Sequence, residues 1–230
     1  MPDILGYWDR RSDDPNYIGD DLLGNAIYKN PMKKSGTSNI YLIRHAEAEL
    51  NLVDVVGGRS NHSPLTKKGI RQAKALSERL KFIYRRNAKI ISSPAERCIS
   101  TLFYSLGDIN FEVNPLFQEL DQGRWTGRPR KEVYTYEVRE LIAKNPWHFK
   151  APGGESQAEV ARRAVRALDM EFRKGYWDRI IYAHGGTIKY LCAELFGWEK
   201  KEAWKLPVDN CSITHLKHTP LGYKLVEFNS

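Results

Sequence analysis

The chain has 230 residues, 41% of them hydrophobic, with a net charge of +8 and three cysteines. That length allows a sizeable core in one or two domains. Three scattered cysteines, Cys98, Cys192 and Cys211, form neither a CxxC nor a Cys/His cluster, so neither a disulfide framework nor a structural zinc site is indicated.

Residues 1 to 38 mix Asp, Asn, Gly and Pro with isolated aromatics such as Tyr7, Trp8, Tyr17 and Tyr28 and have no sustained period. They read as an N-terminal extension, disordered or partly docked through its aromatics. The onset, Met1-Pro2-Asp3, lacks a basic-then-apolar leader, and no apolar run of about 18 residues appears. A cytoplasmic protein with no membrane partner is the expectation. The extension carries five basic and six acidic residues, leaving 31 against 22 for the remainder. A basic globular part attracts anions, phosphorylated metabolites among them. No block of five like charges or aromatic-basic alternation is present, so phosphorylated small molecules rather than nucleic acid are the expected partners.

From Asn39 the chain alternates strand and helix. A first strand is expected over residues 39 to 44. A helix follows with Thr66 as N-cap and Ile70, Ala73, Leu76 and Leu80 as its apolar stripe. Residues 89 to 92 form a second strand, and a helix from Pro94 to Ser105 opens with proline in its first turn. A short strand spans 111 to 113. Ser156-Gln157-Ala158-Glu159 is a capping box for a helix with Val160, Ala164, Leu168 and Phe172 on one face. Residues 179 to 183 form the next strand, and a helix follows Gly185-Gly186. The runs 212 to 218 and 223 to 228, split by Pro220-Leu221-Gly222, read as an antiparallel pair at the sheet edge. The expected fold is α/β: a three-layer α/β/α sandwich with a mostly parallel central sheet and an antiparallel edge.

Two histidines, His45 and His184, fall just past predicted strands, where open α/β sheets bind ligands. Arg44 beside His45 suits a histidine that attacks phosphorus, because a guanidinium binds two phosphate oxygens and neutralises charge that would repel the nucleophile. The following loop holds Glu47, Asn51, Gly57, Gly58 and Arg59, of which Asn51 and the glycine backbone N–H groups add donors that suit the same anion. An Arg-His pair alone is common. Ser93-Pro94-Ala95-Glu96-Arg97 adds a second arginine in the first turn of a helix, and His184-Gly185-Gly186-Thr187 adds a glycine-rich helix start. Two arginines and two histidines at three strand ends make coincidence the weaker account.

With these motifs the chain resembles the histidine phosphatase superfamily, in the branch related to cofactor-dependent phosphoglycerate mutases, from about Asn39 to the C-terminus. Arg44-His45-Ala46-Glu47 with Asn51 is similar to that family's Arg-His-Gly-Glu-Thr signature and its later asparagine. Ser63-Pro64-Leu65-Thr66 with Gly69 and Gln72-Ala73 agrees further, as do Ser93-Pro94 with Arg97 and Thr101, and Glu119 followed by Gly123, Trp125 and Gly127. Pro152-Gly153-Gly154-Glu155-Ser156 and His184-Gly185-Gly186 complete the family's order.

The resemblance implies roles. His45 is the nucleophile that forms a phosphohistidine. Arg44, Arg97 and His184 hold the phosphate oxygens. Glu119 protonates the leaving oxygen and then deprotonates the water that clears His45. Gly185 and Arg128 join Asn51, Gly57, Gly58 and Arg59 as expected substrate contacts. No metal and no cofactor are called for, since arginines do the neutralising. Glu47 and Glu155 are read as loop-organising, His62 as a solvated loop residue, and His148, His215 and His218 as structural or exposed.

Ala46 and Ala48 depart from the family's glycine and threonine without touching the charged constellation. Residues 120 to 151 fall where the family inserts a cap, here rich in Arg124, Arg128, Arg130, Lys131, Tyr134, Tyr136, Trp147, His148 and Phe149. Its basic groups suit a second anionic group, and its aromatics either stack on a ring or pack the cap. The mutases resemble one another in a longer cap and an asparagine after His-Gly, where this chain has Gly186. The expected activity is a phosphatase acting on small phosphomonoesters. A phosphoglycerate mutase-like phosphotransferase and a non-catalytic phospho-ligand binding module are the alternatives. The expected assembly is a monomer or a homodimer.

Overall fold

The structure is a computed structural model that describes residues 17–20, 26–28, 36–84, 88–175 and 178–230. The chain divides into two compact units, Met1–Gly36 and Thr37–Ser230. In the first, β1 (Tyr17–Asp20) pairs antiparallel with β2 (Ala26–Tyr28). Tyr7 and Trp8 lie outside the described residues.

The second unit is built on β3 (Ser38–Arg44), β4 (Lys89–Ser92), β5 (Glu112–Val113), β6 (Arg179–Ala183), β7 (Ile213–Thr219) and β8 (Gly222–Glu227). They form one six-stranded sheet in the order β5-β4-β6-β3-β7-β8. The first four pair in parallel and the last two add antiparallel, giving the mostly parallel sheet with an antiparallel edge. All five residues of β6 are buried, as the centre of a sheet covered on both faces requires.

Alternation along the strands separates two cores. Ile40, Leu42, Ile181 and Ala183 pack with Ala164 and Leu168 of α5 (Gln157–Arg173) and Ile188 and Leu191 of α6 (Gly185–Leu195). Ile43, Ile180 and Tyr182 pack on the other face with Ala73, Leu76 and Leu80 of α1 (Lys67–Leu80) and Cys98 and Leu102 of α2 (Glu96–Leu106). Each Leu or Ile side chain among them contributes about 1.5–3 kcal/mol when removed from water, and each Ala less. Two helix pairs around one sheet make the three layers.

The local signals act as their chemistry dictates. The Thr66 hydroxyl accepts from the Gly69 N–H at 2.9 Å, capping α1. Ser156 and Glu159 exchange side-chain-to-backbone bonds at the start of α5. One boundary differs from the sequence reading: Pro94 stands two residues before α2, because Ala95 is extended and serves as N-cap. The amide of Glu96 there donates to the Asn61 carbonyl at 2.9 Å, tying the helix start to the glycine loop. Residues 120–151 contain two short helices, α3 (Arg130–Val133) and α4 (Tyr136–Lys144). Among the described residues no helix is long and apolar enough to cross a membrane. All three cysteines are free and buried.

Candidate active site

Register places the site. β3 and β6 run parallel with Arg44 opposite Ala183, so His45 and His184, the next residues on each strand, emerge side by side. The His45 amide extends the ladder to the Ala183 carbonyl at 3.1 Å, and the two imidazole centroids lie 5.3 Å apart. β4 pairs Ser92 with Tyr182, which brings Ser93 and the start of α2 to the same end of the sheet. Arg97, on the first turn of α2, therefore projects between the two histidines.

Fixed donors and acceptors decide the tautomers. His45 Nδ1 lies 2.8 Å from the Ala46 carbonyl, which can only accept, so Nδ1 carries the proton. Its Nε2 accepts from Arg97 Nε at 3.2 Å. His184 is the reverse: Nδ1 accepts from Arg97 Nη2 at 3.1 Å, and Nε2–H donates to Ser93 Oγ at 2.8 Å. Burial, reinforced by Arg97, holds both imidazoles well below the usual 6.5, so both are neutral. Arg97, 3% exposed, completes its set with the Ser60 carbonyl at 2.5 Å.

The loop that carries His45 is held from several sides. Thr101 Oγ1 accepts from the Ala46 amide at 2.9 Å and donates to the Arg97 carbonyl at 2.6 Å. Asn210 Nδ2 donates to the His45 carbonyl at 2.8 Å. Arg44 donates from Nη1 to the Val208 carbonyl at 2.6 Å, while its buried Nε has no partner among the described residues. A buried, unpaired guanidinium donor costs free energy unless an anion satisfies it. Glu47 is tied to Thr66 at 2.8 Å and Lys68 at 2.8 Å, which makes it an organiser of its loop.

Glu119 faces the histidines from the loop after the turn Pro115–Phe117. Its carboxylate accepts from the Leu120 amide at 2.9 Å and from the Gly186 amide, in the first turn of α6, at 3.1 Å. A Cβ on Gly186 would stand 2.3 Å from Glu119 Oε1, so that position has no room for a side chain while the carboxylate holds its place. Gly185 is likewise tight, with a Cβ there 3.3 Å from Arg44 Nε. The backbone of Glu119 is pinned by Arg163 Nη2 at 3.0 Å and Arg59 Nε at 3.2 Å. Both arginines close on Glu155, whose carboxyl sits below the usual range because Arg163 and Arg59 outweigh the burial that opposes them.

A crevice of about 390 Å³ joins these groups and is lined by Arg44, His45, Arg97, Glu119, Gly185 and Gly186. Asn51, Gly57 and Gly58 also line it, although Asn51 Oδ1 is engaged by the Ala48 amide at 2.9 Å. Two expected substrate contacts stand elsewhere. Arg59 turns to Glu155 at 2.5 Å and supports the Glu119 loop from behind. Arg128 lies outside the crevice, with Glu132 at 3.8 Å its one ion pair among the described residues and half its side chain exposed. Arg130 and Lys189 line the crevice instead. Lys189, which the sequence reading passed over, sits one helical turn after Gly185, and that spacing was the available signal. Burial lowers the Lys189 ammonium from its usual value, against the pull of Glu119. His62 is exposed and does not line the crevice, and among the described residues no group of three His, Cys, Asp or Glu side chains could hold a metal ion.

An α/β sheet with two neutral histidines, a buried and a half-buried arginine and a carboxylate at its parallel strand ends defines an anion site of the phosphoryl-transfer kind. Comparison with known proteins agrees. The family profile described as "Histidine phosphatase superfamily (branch 1)" matches residues 40–230. A Proteus mirabilis protein named probable phosphoglycerate mutase GpmB is 31% identical over 185 residues, 78% of this chain and 84% of its own. The phosphoserine phosphatase of Entamoeba histolytica, solved with 3-phosphoglyceric acid, is 25% identical with a TM-score of 0.73, covering 84% of this chain and 97% of that one. A mycobacterial glucosyl-3-phosphoglycerate phosphatase shares the fold at 21% identity, with a TM-score of 0.73 over 85% of this chain and all of that one. The chain belongs to branch 1 of the histidine phosphatase superfamily and is an enzyme of that type.

Proposed function

We propose that the protein is a metal-independent phosphatase that hydrolyses small phosphomonoesters through a phosphohistidine on His45. The observation that carries this reading is the state of His45 Nε2: an unprotonated nitrogen on a neutral imidazole, held by the Nδ1 bond to Ala46 and facing a crevice with an unsatisfied arginine donor.

In this reading the phosphoryl group enters beside Arg44 and Arg97. Arg97 gives up its bonds to the two imidazoles and donates to phosphate oxygens, freeing Nε2 for in-line attack. Charge on the equatorial oxygens is met by the two guanidiniums, where positioning and electrostatics supply most of the rate. His184 joins them by taking onto Nδ1 a proton that arrives from solvent with the incoming phosphate, whose negative charge favours the imidazolium, and donating it in a hydrogen bond to a phosphate oxygen. Glu119 delivers a proton to the leaving oxygen and later takes one from the water that attacks phosphohistidine.

Relatives named as phosphatases and as a mutase share this fold, and the mutase name favours a second reading in which His45 passes its phosphoryl group to another substrate. Purified protein with EDTA present should release phosphate from p-nitrophenyl phosphate, and His45→Ala should not. Activity that needs added metal, or that survives His45→Ala, contradicts the proposal. Phosphate moved to a monophosphoglycerate faster than to water favours the second reading.

A further inference from the structure

Among the described residues only two non-glycine positions have a positive φ, Cys211 at 61° and Asn229 at 56°. A left-handed backbone costs a cysteine free energy, and such a residue persists where its surroundings over-determine it. Both residues belong to one chain of contacts, and that chain ends on Arg44.

Cys211 is the third residue of a turn closed by the Ser212 amide on the Asp209 carbonyl at 3.0 Å. Where φ is positive, that turn position ordinarily takes glycine or asparagine. The turn grips Arg44 three times. The Cys211 amide donates to the Arg44 carbonyl at 3.0 Å, the Arg44 amide donates to the Ser212 carbonyl at 3.2 Å, and Arg44 Nη1 donates to the Val208 carbonyl at 2.6 Å. Backbone and guanidinium are thereby fixed together, so the shape of this turn sets how Arg44 offers its remaining donors to the crevice.

Asn229, two residues past β8, holds the turn. Its Oδ1 accepts from the Asp209 amide at 2.6 Å, and its Nδ2 donates to Asp209 Oδ2 at 3.0 Å, a reciprocal pair across 20 residues of sequence. Asparagine tolerates the left-handed backbone and carries both a donor and an acceptor, which glycine lacks. Ser230 anchors the segment. Its amide and carbonyl exchange bonds with Ile213 at 3.1 and 3.0 Å, and its hydroxyl accepts from Arg79 of α1 at 3.1 Å.

We infer that Asn229 is a positioning residue for the phosphate site, acting on Arg44 through the turn 208–212. Its effect on turnover rests on the phosphatase reading above; the clamp itself does not. Without the Asn229 side chain the turn is free to relax at Cys211, and the Val208 carbonyl that fixes Arg44 Nη1 moves with it.

Asn229→Gly keeps a left-handed backbone and removes only the side chain. In the full chain it should lower kcat/KM on p-nitrophenyl phosphate about 3- to 30-fold, the range of one or two net hydrogen bonds. In an Arg44→Met background the same change should cost less than about twofold, because the effect runs through Arg44. Combining Asp209→Asn with Asn229→Asp reverses donor and acceptor across the contact and should recover most of the activity. A change under about twofold in the wild-type background overturns the inference, as does a full loss that persists in Arg44→Met or an exchanged pair no better than Asn229→Gly. Amide hydrogen exchange followed by NMR reads the clamp without turnover. The Cys211 and Arg44 amides should exchange at least about tenfold faster in Asn229→Gly, while the Ile181 amide in β6 keeps its rate. Unchanged exchange at both amides overturns the inference even if activity falls, and faster exchange there upholds the clamp even if no ester is hydrolysed.

Discussion

His45 and His184 face each other across one guanidinium in opposite tautomers, the first protonated on Nδ1 and the second on Nε2, so that both lone pairs converge on Arg97. A planar fork with several fixed donors can serve two imidazoles and the Ser60 carbonyl at once, which a lysine ammonium at the end of a flexible stem cannot. Arg97→Lys is therefore expected to keep the charge and lose the geometry. Steady-state assays should show kcat/KM reduced by about 10²-fold or more, the order found on removing a preorganised donor. A loss under about threefold would mean that charge alone is enough.

Gly186 makes room for Glu119. Gly186→Ala places a Cβ where Glu119 Oε1 stands and removes the carboxylate from the Gly186 amide. If Glu119 is the proton donor, the loss should depend on the leaving group. Alkyl phosphates, which need protonation, should slow by about 10²- to 10⁴-fold, while p-nitrophenyl phosphate, whose phenolate departs unaided, should slow far less. Equal losses on both, with an unchanged melting temperature, would remove Glu119 from the acid role.

The buried histidines make stability depend on pH. Each has a folded value held well below 6.5 by burial and by Arg97, so below pH 6.5 the unfolded chain binds protons that the folded chain does not. Stability is then fully present above that pH and falls as the solution is acidified, by up to about 1.4 kcal/mol per pH unit for each histidine until its folded value is reached. Urea denaturation from pH 7.5 to 5 should show this slope, and His184→Gln should flatten part of it. Stability that rises on acidification through pH 6.5 would contradict the neutral pair.

Thr101 supports the nucleophile from α2. Its hydroxyl is the acceptor for the buried Ala46 amide, which has no other partner if Thr101→Val keeps the shape and removes the oxygen. The cost should be about 1–3 kcal/mol in a denaturant titration, with kcat falling because the His45 loop loosens. A variant as stable and as active as the parent would show that the amide finds another acceptor.

The part of the site that lies on the strands was legible in the chain because local rules write it. The apolar runs ending at Arg44 and Ala183 declared buried parallel strands, and parallel register then leaves no other place for His45 and His184. Thr66 and Ser156 announced their helices through capping chemistry that spans three residues. What was not legible depends on distant partners. Arg59 beside two glycines offers the same sequence whether it turns to a ligand or to Glu155, and only the fold brings Glu155 to it. Arg128 and Arg130 differ by two positions, and which one enters the crevice is set by the start of α3. The short helices of residues 120–151 bury little, Val133 alone among their residues, and the apolar positions Val138, Leu141 and Ile142 of α4 stay half-buried or exposed. Gly186 was visible as a glycine, but its reason lies 67 residues away in the Glu119 carboxylate.

During turnover the phosphoryl group is expected to rest covalently on His45 Nε2. Rapid acid-free quench of the protein with radiolabelled phosphomonoester, followed by digestion and mass spectrometry, tests it directly. The expected result is a burst of released alcohol close to one per site and an acid-labile, alkali-stable phosphoryl label on the peptide that holds His45. Release of alcohol and phosphate in step, with no label on that peptide and turnover surviving in His45→Ala, would contradict it.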